Sequence, residues 1–148
     1  MSMTTPANQP TDWSAALACQ DAVLRFTAHF DAQQYEEMQQ YFADDGLWQR
    51  LEGDIRGVDG LRRHLAARSP LICVRHVISN MRTTFQSSER ATVYSYLTSY
   101  RYDFEDQIKL PAPGCVPLLV GQYVDQMRLC DGAWKIQHRQ VRIDVRAP

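Results

Sequence analysis

The sequence has few of the features that mark specialised classes of protein. Its 148 residues include only four cysteines, and its 16 basic side chains nearly balance 17 acidic ones. The cysteines show no CxxC spacing, so the sequence gives no sign of a zinc knuckle or a redox motif. No apolar run approaches the ~20 residues that cross a bilayer, and no basic stretch is longer than the Arg62-Arg63 pair. We therefore expect no membrane span and no nucleic-acid partner.

Motifs for nucleotide, metal and nucleophile chemistry are also missing. There is no GxxxxGK[ST], and no GxGxxG follows a predicted strand, so nucleotide handling is not expected. The four histidines are scattered and form no HExxH motif, so we expect neither a metal nor another cofactor. Without a GxSxG elbow, acid–base chemistry is the natural enzymatic possibility. Because the chain shows no charged-then-apolar leader, we expect a cytoplasmic location.

What is present is one domain of ordinary composition. With 45% hydrophobic and 22% charged residues, the chain is typical of a globular domain with a real core. Residues 1–11 contain two prolines and little that could be buried, which predicts a disordered tail. We expect residues 12–148 to form a single domain with no internal repeat.

The first half of this domain is predicted to be helical. Apolar residues recur at intervals of three and four from Trp13 onward, which is typical of an amphipathic helix ending near residue 31. A short second helix follows, with an inner side formed by Tyr35, Met38, Tyr41 and Phe42. A strand around Trp48 is expected over 46–51. The segment GDIRGVDG then turns the chain into a third helix over 61–68.

The second half is predicted to be an antiparallel meander. Beyond Pro70, Thr, Val, Tyr and Ile dominate, and the apolar spacing shifts from 3.6 towards 2. The expected strands are 72–86, 91–104, 118–130 and 133–146. Asp131-Gly132 is a strong hairpin signal, whereas the Pro-rich connection over 105–118 is a candidate for a lid or a partner contact. Helices followed by a meander predict an α+β fold, with the helices packed on one face of a curved sheet.

Asp31 is the first candidate for acid–base chemistry. It lies seven positions after Leu24 and fourteen after Leu17, a spacing that places it on the buried stripe of the first helix. A carboxylate that points inward needs a partner. The run Asp31-Ala32-Gln33-Gln34 is also typical of a capping box that opens the second helix with Asp31 as its N-cap. Both interpretations remain open at this point.

His76, in the segment CVRHVISN, is the second candidate. Strand alternation places His76, Ile78 and Asn80 on one face. The other face carries Arg75, Val77 and Ser79, so polar groups interrupt both faces of this strand. That pattern is expected where one face lines an apolar cavity that contains a few converging polar groups. The alternatives are a hydrogen-bonded core histidine and an exposed one.

Aromatic residues in the later strands give a weaker signal. Four tyrosines of one predicted strand share the same parity: Tyr94, Tyr96, Tyr100 and Tyr102. Their common face could line a cavity, cover a subunit interface or simply pack in the core. His138 alternates with Trp134 and Ile136, which makes it a candidate for the border of a pocket.

Basic residues leave two further possibilities. His64 follows two arginines and is expected on a solvated helix face. Three arginines near the C-terminus could bind an anion or could form surface pairs with Asp125 and Asp144; they are Arg139, Arg142 and Arg146.

The order of these elements and several short motifs resemble the SnoaL-like family of the nuclear-transport-factor-like superfamily. The resemblance covers residues 13–146. Its matching segments are RFTAHFDAQQYEEMQQYFADDGLW, GVDGLRRHL, RHVISN and VGQYVDQMRLCDGAWKIQHRQVRID. It implies a curved, mostly antiparallel sheet wrapped by three N-terminal helices into a cone with one deep apolar pocket. It also implies a small-molecule ligand and assembly as homodimers or homotrimers.

The resemblance implies a catalytic pair as well. In scytalone dehydratase and hexachlorocyclohexane dehydrochlorinase, two enzymes of this superfamily, an aspartate at the end of the first helix pairs with a histidine in the strand after the third helix. Asp31 and His76 occupy those places here. The implied activity is that of a cofactor-independent lyase or isomerase, with a histidine base oriented by an aspartate. Its substrate would be a small, cyclic, largely apolar molecule that bears oxygen substituents.

Four further residues are predicted to contact the substrate: Trp48, Asn80, Tyr100 and His138. Of these, Asn80 or Tyr100 would hold a developing oxyanion. Two other functional classes also fit the predicted fold. One is a non-catalytic subunit similar to the small subunit of aromatic-ring-hydroxylating dioxygenases, and the other is a binding protein for a hydrophobic metabolite.

Overall fold

The computed structural model describes residues 12–148, so the predicted tail over 1–11 lies outside the described residues. The three helices are α1 (Trp13–Asp31), α2 (Tyr35–Gln39) and α3 (Gly57–Ala66). Two strands of the first half are β1 (Phe42–Gln49) and β2 (Ile55–Arg56). Four long strands follow: β3 (Ile72–Ser87), β4 (Arg90–Asp103), β5 (Leu119–Cys130) and β6 (Ala133–Arg146). None of the described helices has the length and apolar character to span a bilayer.

All six strands form one sheet in the order β2-β1-β6-β5-β4-β3. Every neighbouring pair is antiparallel except β1 and β6, which are parallel. Through that one parallel contact, the first half of the chain joins the last strand of the meander. The helices come from the N-terminal half of the domain, and α1 packs against β3 and β6. The predicted α+β fold is confirmed.

The apolar stripe of α1 supplies one wall of the core. Asp12 caps the helix, because its Oδ1 accepts a hydrogen bond from the backbone N–H of Ala15 at 3.1 Å. Phe26 on the buried face meets Trp48 edge-on, with ring centroids 5.5 Å apart. Cys19 is fully buried in the same stripe, and its burial raises the pKa of the thiol to about 12. The side chain therefore acts as a small hydrophobe.

Three local assignments differ from the expectations. Phe42, expected in the second helix, is the first residue of β1 and pairs with Ile136 of β6. The third helix begins at Gly57, four residues before the predicted start. The short strand β2 precedes this helix and pairs with β1 through Ile55 and Trp48, whereas the sequence predicted a turn at β2. The strand assignment of Phe42 depends on pairing with a segment far away in sequence, which local periodicity does not show. With only two residues, β2 is too short to give a periodic signal.

Gly121 lies where β5 and β6 approach closely. A Cβ atom on Gly121 would overlap the carbonyl oxygen of Arg142 and lie 3.0 Å from the Cα of Ile143. Both are backbone atoms that cannot move without disturbing the strand pairing. We expect Gly121→Ala to lower the free energy of unfolding by roughly 1–3 kcal/mol in urea denaturation.

The matched control for this substitution is Gly114→Ala. A Cβ atom at Gly114 would meet nothing within 4 Å. That variant should change stability by less than about 0.5 kcal/mol. Equal effects of the two substitutions would contradict the argument that the close approach of β5 and β6 demands glycine.

Candidate active site

A cavity of about 400 Å³ is lined by α1, by α3 and the segment after it, by the segment after β1 and by five strands of the sheet. This volume lies in the range typical of sites for small molecules. Much of its wall is apolar, and the largest side chains there are Phe30, Trp48, Leu97, Tyr123 and Ile143. Trp48 thus lies in the cavity wall, and His76 lines the cavity too.

Asp31 holds His76 through two hydrogen bonds. Its Oδ1 lies 2.6 Å from Nδ1 of the imidazole, and its Oδ2 accepts from the backbone N–H of His76 at 2.8 Å. The two side chains are only 8% and 12% exposed, respectively. Because a carboxylate accepts hydrogen bonds, the contact favours the imidazole tautomer that carries its proton on Nδ1. Nε2 is then the nitrogen with a free lone pair.

The end of α1 is tied to the start of β3, which brings the pair together. Gln33 has a φ of 58°, and its side-chain amide donates to the carbonyl oxygens of Pro70 and Ile72 at 3.1 and 3.2 Å. Asp31 is the last residue of α1. The N-cap of α2 is Gln34, without a side-chain capping bond. The interpretation of Asp31 as an N-cap is therefore wrong, since its carboxylate bonds to His76 instead.

The imidazole of His76 packs among aromatic rings at the cavity. Its centroid lies 5.7 Å from that of Phe30, which in turn lies 6.0 Å from that of Trp48. Among residues 12–148, no protein group forms a hydrogen bond with Nε2 of His76. The imidazole therefore has one nitrogen bound to Asp31 and one without a partner among the described residues.

A buried ion pair supports the aromatic wall. Arg139 donates from Nε and Nη2 to the two carboxylate oxygens of Asp125 at 2.7 and 2.9 Å, and the side chains are 2% and 0% exposed. Burial by itself lowers the pKa of Arg139, but the charge and hydrogen bonds of Asp125 raise it above its ordinary value. The guanidinium carbon lies 4.0 Å from the ring centroid of Tyr123. Arg139 therefore forms a buried pair behind the wall, which is neither the surface pair nor the anion site that the sequence left open for it.

Tyr123 is a cavity residue that the sequence analysis did not single out. It is 4% exposed, and burial is the main reason why its pKa is raised to about 12. The phenol therefore stays protonated across the neutral range and remains a hydrogen-bond donor. Alternation along β5 could have placed Tyr123 on the same face as Gly121 and Asp125. It could not have shown that this face borders the cavity.

Asn80 and Tyr100 lie away from the lining of the cavity. Asn80 is exposed at a bulge of β3 and has a left-handed φ of 52°. On β4 the odd-numbered residues Leu97, Ser99 and Arg101 line the cavity. Since side chains alternate along a strand, Tyr100 belongs to the opposite face of the sheet. Neither residue is placed to hold an oxyanion at His76, which corrects the sequence expectation.

His138 is outside the cavity lining for a different reason. In the pairing of β5 with β6, Met127 faces Ile136 and Gln126 faces His138, so Gln137 is an extra residue. Such a bulge reverses the alternation that follows it. His138 therefore leaves the face of Ile136, and its Nε2 lies 2.7 Å from Oε1 of Gln49. The expected pocket role of His138 is wrong.

His64 lies at the cavity rather than on a solvated helix face. It is half-buried, lines the cavity and contacts the guanidinium of Arg50. Burial, followed by the positive charges of Arg50 and Arg68, lowers the pKa of His64 below its ordinary value of 6.5. The residue is thus mainly neutral at pH 7, and the positive charge around it belongs to the arginines.

The lowered pKa of His64 predicts a pH dependence of stability. As the pH falls through about 6.5, the unfolded chain binds a proton at this position before the folded chain does. Acidification therefore favours unfolding until the pH passes the lowered pKa of the folded state. We expect His64→Gln to lose less stability than the wild type between pH 8 and pH 5 in urea denaturation. Equal losses in the two proteins would contradict this assignment.

Among residues 12–148 we find no group of three or more His, Cys, Asp or Glu side chains arranged to hold a metal ion. The candidate site is instead a partly apolar cavity with one Asp–His pair in contact with it. These features define the class of protein as an α+β domain in which a mostly antiparallel six-stranded sheet and N-terminal helices surround a cavity of small-molecule size.

Comparison with known proteins identifies the family within that class. Residues 12–140 match the SnoaL-like domain family, and the chain belongs to it. No protein of curated function matches the chain by sequence. A solved structure of a protein of unknown function from Mycobacterium tuberculosis is 25% identical with a TM-score of 0.75, covering 90% of this chain and 78% of that one.

Two further solved structures carry names that describe eliminations. A proposed scytalone dehydratase from Novosphingobium aromaticivorans is 21% identical with a TM-score of 0.77, and the match covers 90% of this chain and 87% of that one. A hexachlorocyclohexane dehydrochlorinase of type 3 from Novosphingobium barchaimii is 17% identical with a TM-score of 0.75, covering 91% and 90%. At these identities the likeness shows a shared fold.

Proposed function

We propose that the protein is a cofactor-independent lyase or isomerase in which His76 is the base and Asp31 orients it. The observation that carries the proposal is the 2.6 Å contact between Asp31 Oδ1 and His76 Nδ1 at the wall of the cavity. A general base must have a free lone pair within reach of the substrate. The contact with Asp31 supplies that lone pair, because it keeps the proton on Nδ1 and leaves Nε2 unprotonated.

The chemistry that this geometry supports begins with removal of a proton from carbon. Nε2 of His76 takes a proton from a C–H beside a carbonyl group, and the electron pair of that bond forms an enolate. Asp31 stabilises the resulting imidazolium. In an elimination, the enolate expels a hydroxyl group from the next carbon, and His76 returns the proton so that water leaves. In an isomerisation, His76 returns the proton to a different carbon.

The cavity wall provides the remaining elements of this mechanism. Tyr123 is a protonated phenol in the lining, so we assign to it the hydrogen bond to the enolate oxygen in place of Tyr100. The large apolar side chains exclude water and so strengthen electrostatic interactions in the site. The family match and the names of the two structural relatives, a dehydratase and a dehydrochlorinase, support an elimination.

Hydrogen exchange on simple ketones tests the proposal without knowledge of the natural substrate. One-ring and two-ring cyclic ketones are incubated with the protein in D2O, and loss of the α-proton signal is followed by NMR. Cyclic β-hydroxyketones are assayed in parallel for the absorbance of the dehydrated product. We expect exchange or dehydration above the rate in buffer. Tight binding of these compounds without exchange would contradict the proposal and indicate a binding protein.

A further inference from the structure

The cavity carries more positive than negative charge, although the whole chain has a net charge of -1. Three arginines line it against a single lining carboxylate, that of Glu52. They come from different parts of the chain, namely Arg50, Arg68 and Arg101. The carboxylate of Asp31 is committed to His76, and that of Asp125 is committed to Arg139. The residues that line the cavity therefore carry an excess of positive charge. A further carboxylate, that of Asp103, lies beside Arg101, and its pKa is lowered mainly by Arg101 and also by Arg68.

Two of the three arginines are already paired with a carboxylate. Arg101 donates to both carboxylate oxygens of Asp103 at 2.7 and 3.0 Å. Arg50 donates to Glu52 at 3.1 Å and contacts His64. Several N–H donors of both guanidinium groups are therefore already bound to carboxylates and are not free for an external anion.

Arg68 differs from both of them. Its Nη1 donates to the hydroxyl oxygen of Tyr35 at 2.7 Å. Within residues 12–148, no carboxylate oxygen lies within 4.0 Å of its guanidinium. Nε and Nη2 therefore keep unused donors next to the cavity, in the planar arrangement that matches a carboxylate.

Arg68 and His76 both pack against the ring of Phe30. The guanidinium carbon lies 4.4 Å from the ring centroid of Phe30, and the imidazole centroid of His76 lies 5.7 Å from the same point. Together these distances limit the separation of guanidinium and imidazole to about 10 Å. A molecule with one or two rings and an attached carboxylate is long enough to reach both groups. The Tyr35 bond and the Phe30 stack preorganise the side chain, which lowers the entropy cost of binding.

We infer that the ligand of this cavity is an organic anion, a cyclic carboxylate whose anionic group binds Arg68 while its ring packs against Phe30 and Trp48. This inference names the substrate class of the proposed enzyme, so the position of the reacting carbon at His76 rests on the proposed function. The anion site itself rests on Arg68. The charges of Arg50 and Arg68 also lower the pKa of the neighbouring His64, as expected for a positive potential here.

A pair of probes that differ only in charge tests the inference. We would measure binding of 2-naphthoate and of 2-naphthamide to the full-length protein by isothermal titration calorimetry. A charge-assisted hydrogen bond with the guanidinium should make the carboxylate bind about tenfold more tightly than the amide. Arg68→Gln should abolish this preference, whereas Arg68→Lys should retain part of it because the positive charge remains.

Arg82→Gln is the matched control. Arg82 also lies over an aromatic ring, with its guanidinium carbon 4.6 Å from the centroid of Tyr94, but it is exposed and does not line the cavity. This variant should keep the full preference for the carboxylate. Thermal unfolding of each variant verifies that it is folded, and the lysine variant gives a second measurement if the glutamine variant is not.

Three results would overturn the inference: equal affinities of the two probes, an unchanged preference in Arg68→Gln, or no binding of the carboxylate at millimolar concentration. The same titration in His76→Gln separates this inference from the proposed function. A preference for the carboxylate that persists, together with full turnover by His76→Gln, overturns the proposed function alone. Loss of turnover in His76→Gln with no preference for the carboxylate overturns this inference alone.

Discussion

Replacement of His76 by glutamine is expected to lower turnover by about 10²–10⁴-fold, because the variant has no group to accept the proton from carbon. Glutamine is close in size to histidine, and its side chain can still bond to the carboxylate of Asp31, so the fold should survive. The measurement is kcat/KM on the ketone or hydroxyketone that the wild type converts fastest. Thermal unfolding of the same samples excludes loss of structure as the cause.

Asp31→Asn tests the orientation of the base separately. The asparagine oxygen can still accept the bond from the backbone N–H of His76, which is 2.8 Å from the carboxylate in the wild type. Its amide nitrogen, however, donates towards Nδ1 and favours the tautomer that carries its proton on Nε2. Since that nitrogen can then no longer take a proton, we expect a loss approaching that of His76→Gln, with a smaller change in KM than in kcat.

The chain offers a control for each of these substitutions. Asp21 lies on the same helix but is 58% exposed and paired with Arg25 at 2.7 Å, so Asp21→Asn should keep full turnover. His138 bonds to Gln49 outside the cavity lining, so His138→Gln should also keep full turnover. If both members of the Asp31–His76 pair tolerate replacement as well as the controls do, the acid–base mechanism is wrong.

Local patterns in the sequence were enough to predict most elements of the fold and to single out Asp31 and His76 as separate candidates. The apolar period of α1 placed Asp31 on its inner side, and the strand that carries His76 starts where expected, at Ile72. What these patterns could not provide is the contact itself, which joins residues 45 apart in sequence. That contact depends on the turn after α1, where Gln33 binds the carbonyl oxygens at the start of β3. The family resemblance, rather than the periodicity, suggested the pairing.

The incorrect site assignments have specific physical causes. His138 was placed by simple alternation, and the extra residue Gln137 reverses that alternation. Asn80 lies at a similar bulge of β3. Alternation correctly placed Tyr100 on one face of β4 with the other tyrosines. The packing of the helices decides which face of the sheet borders the cavity, and alternation does not show this. Arg68 was missed because it follows α3, and only the tertiary fold brings that segment to the rim of the cavity.

Breaking the buried ion pair is expected to have the largest effect on stability. In Asp125→Asn, the guanidinium of Arg139 stays in a site where the two side chains are 0% and 2% exposed, with no charge to balance it. Removing one partner of such a pair costs about 3–5 kcal/mol, because an isolated buried charge is poorly solvated. Urea denaturation monitored by circular dichroism measures the loss. The control is Asp144→Asn. In the wild type Asp144 pairs with Arg142 at 3.6 Å on the surface, so this variant should lose less than about 0.5 kcal/mol of stability.

Replacing both partners at once separates the cost of an unpaired charge from the value of the pair. Two apolar residues of similar size, as in Asp125→Leu with Arg139→Met, leave no charge behind, so the double variant should regain most of the stability lost by Asp125→Asn. The guanidinium also lies 5.9 Å from the ring centroid of Trp48, and methionine can fill that space against the cavity wall. If the pair acts only by supporting this wall, turnover returns together with stability. Recovery of stability without turnover would instead show that the positive charge of Arg139 contributes to the reaction.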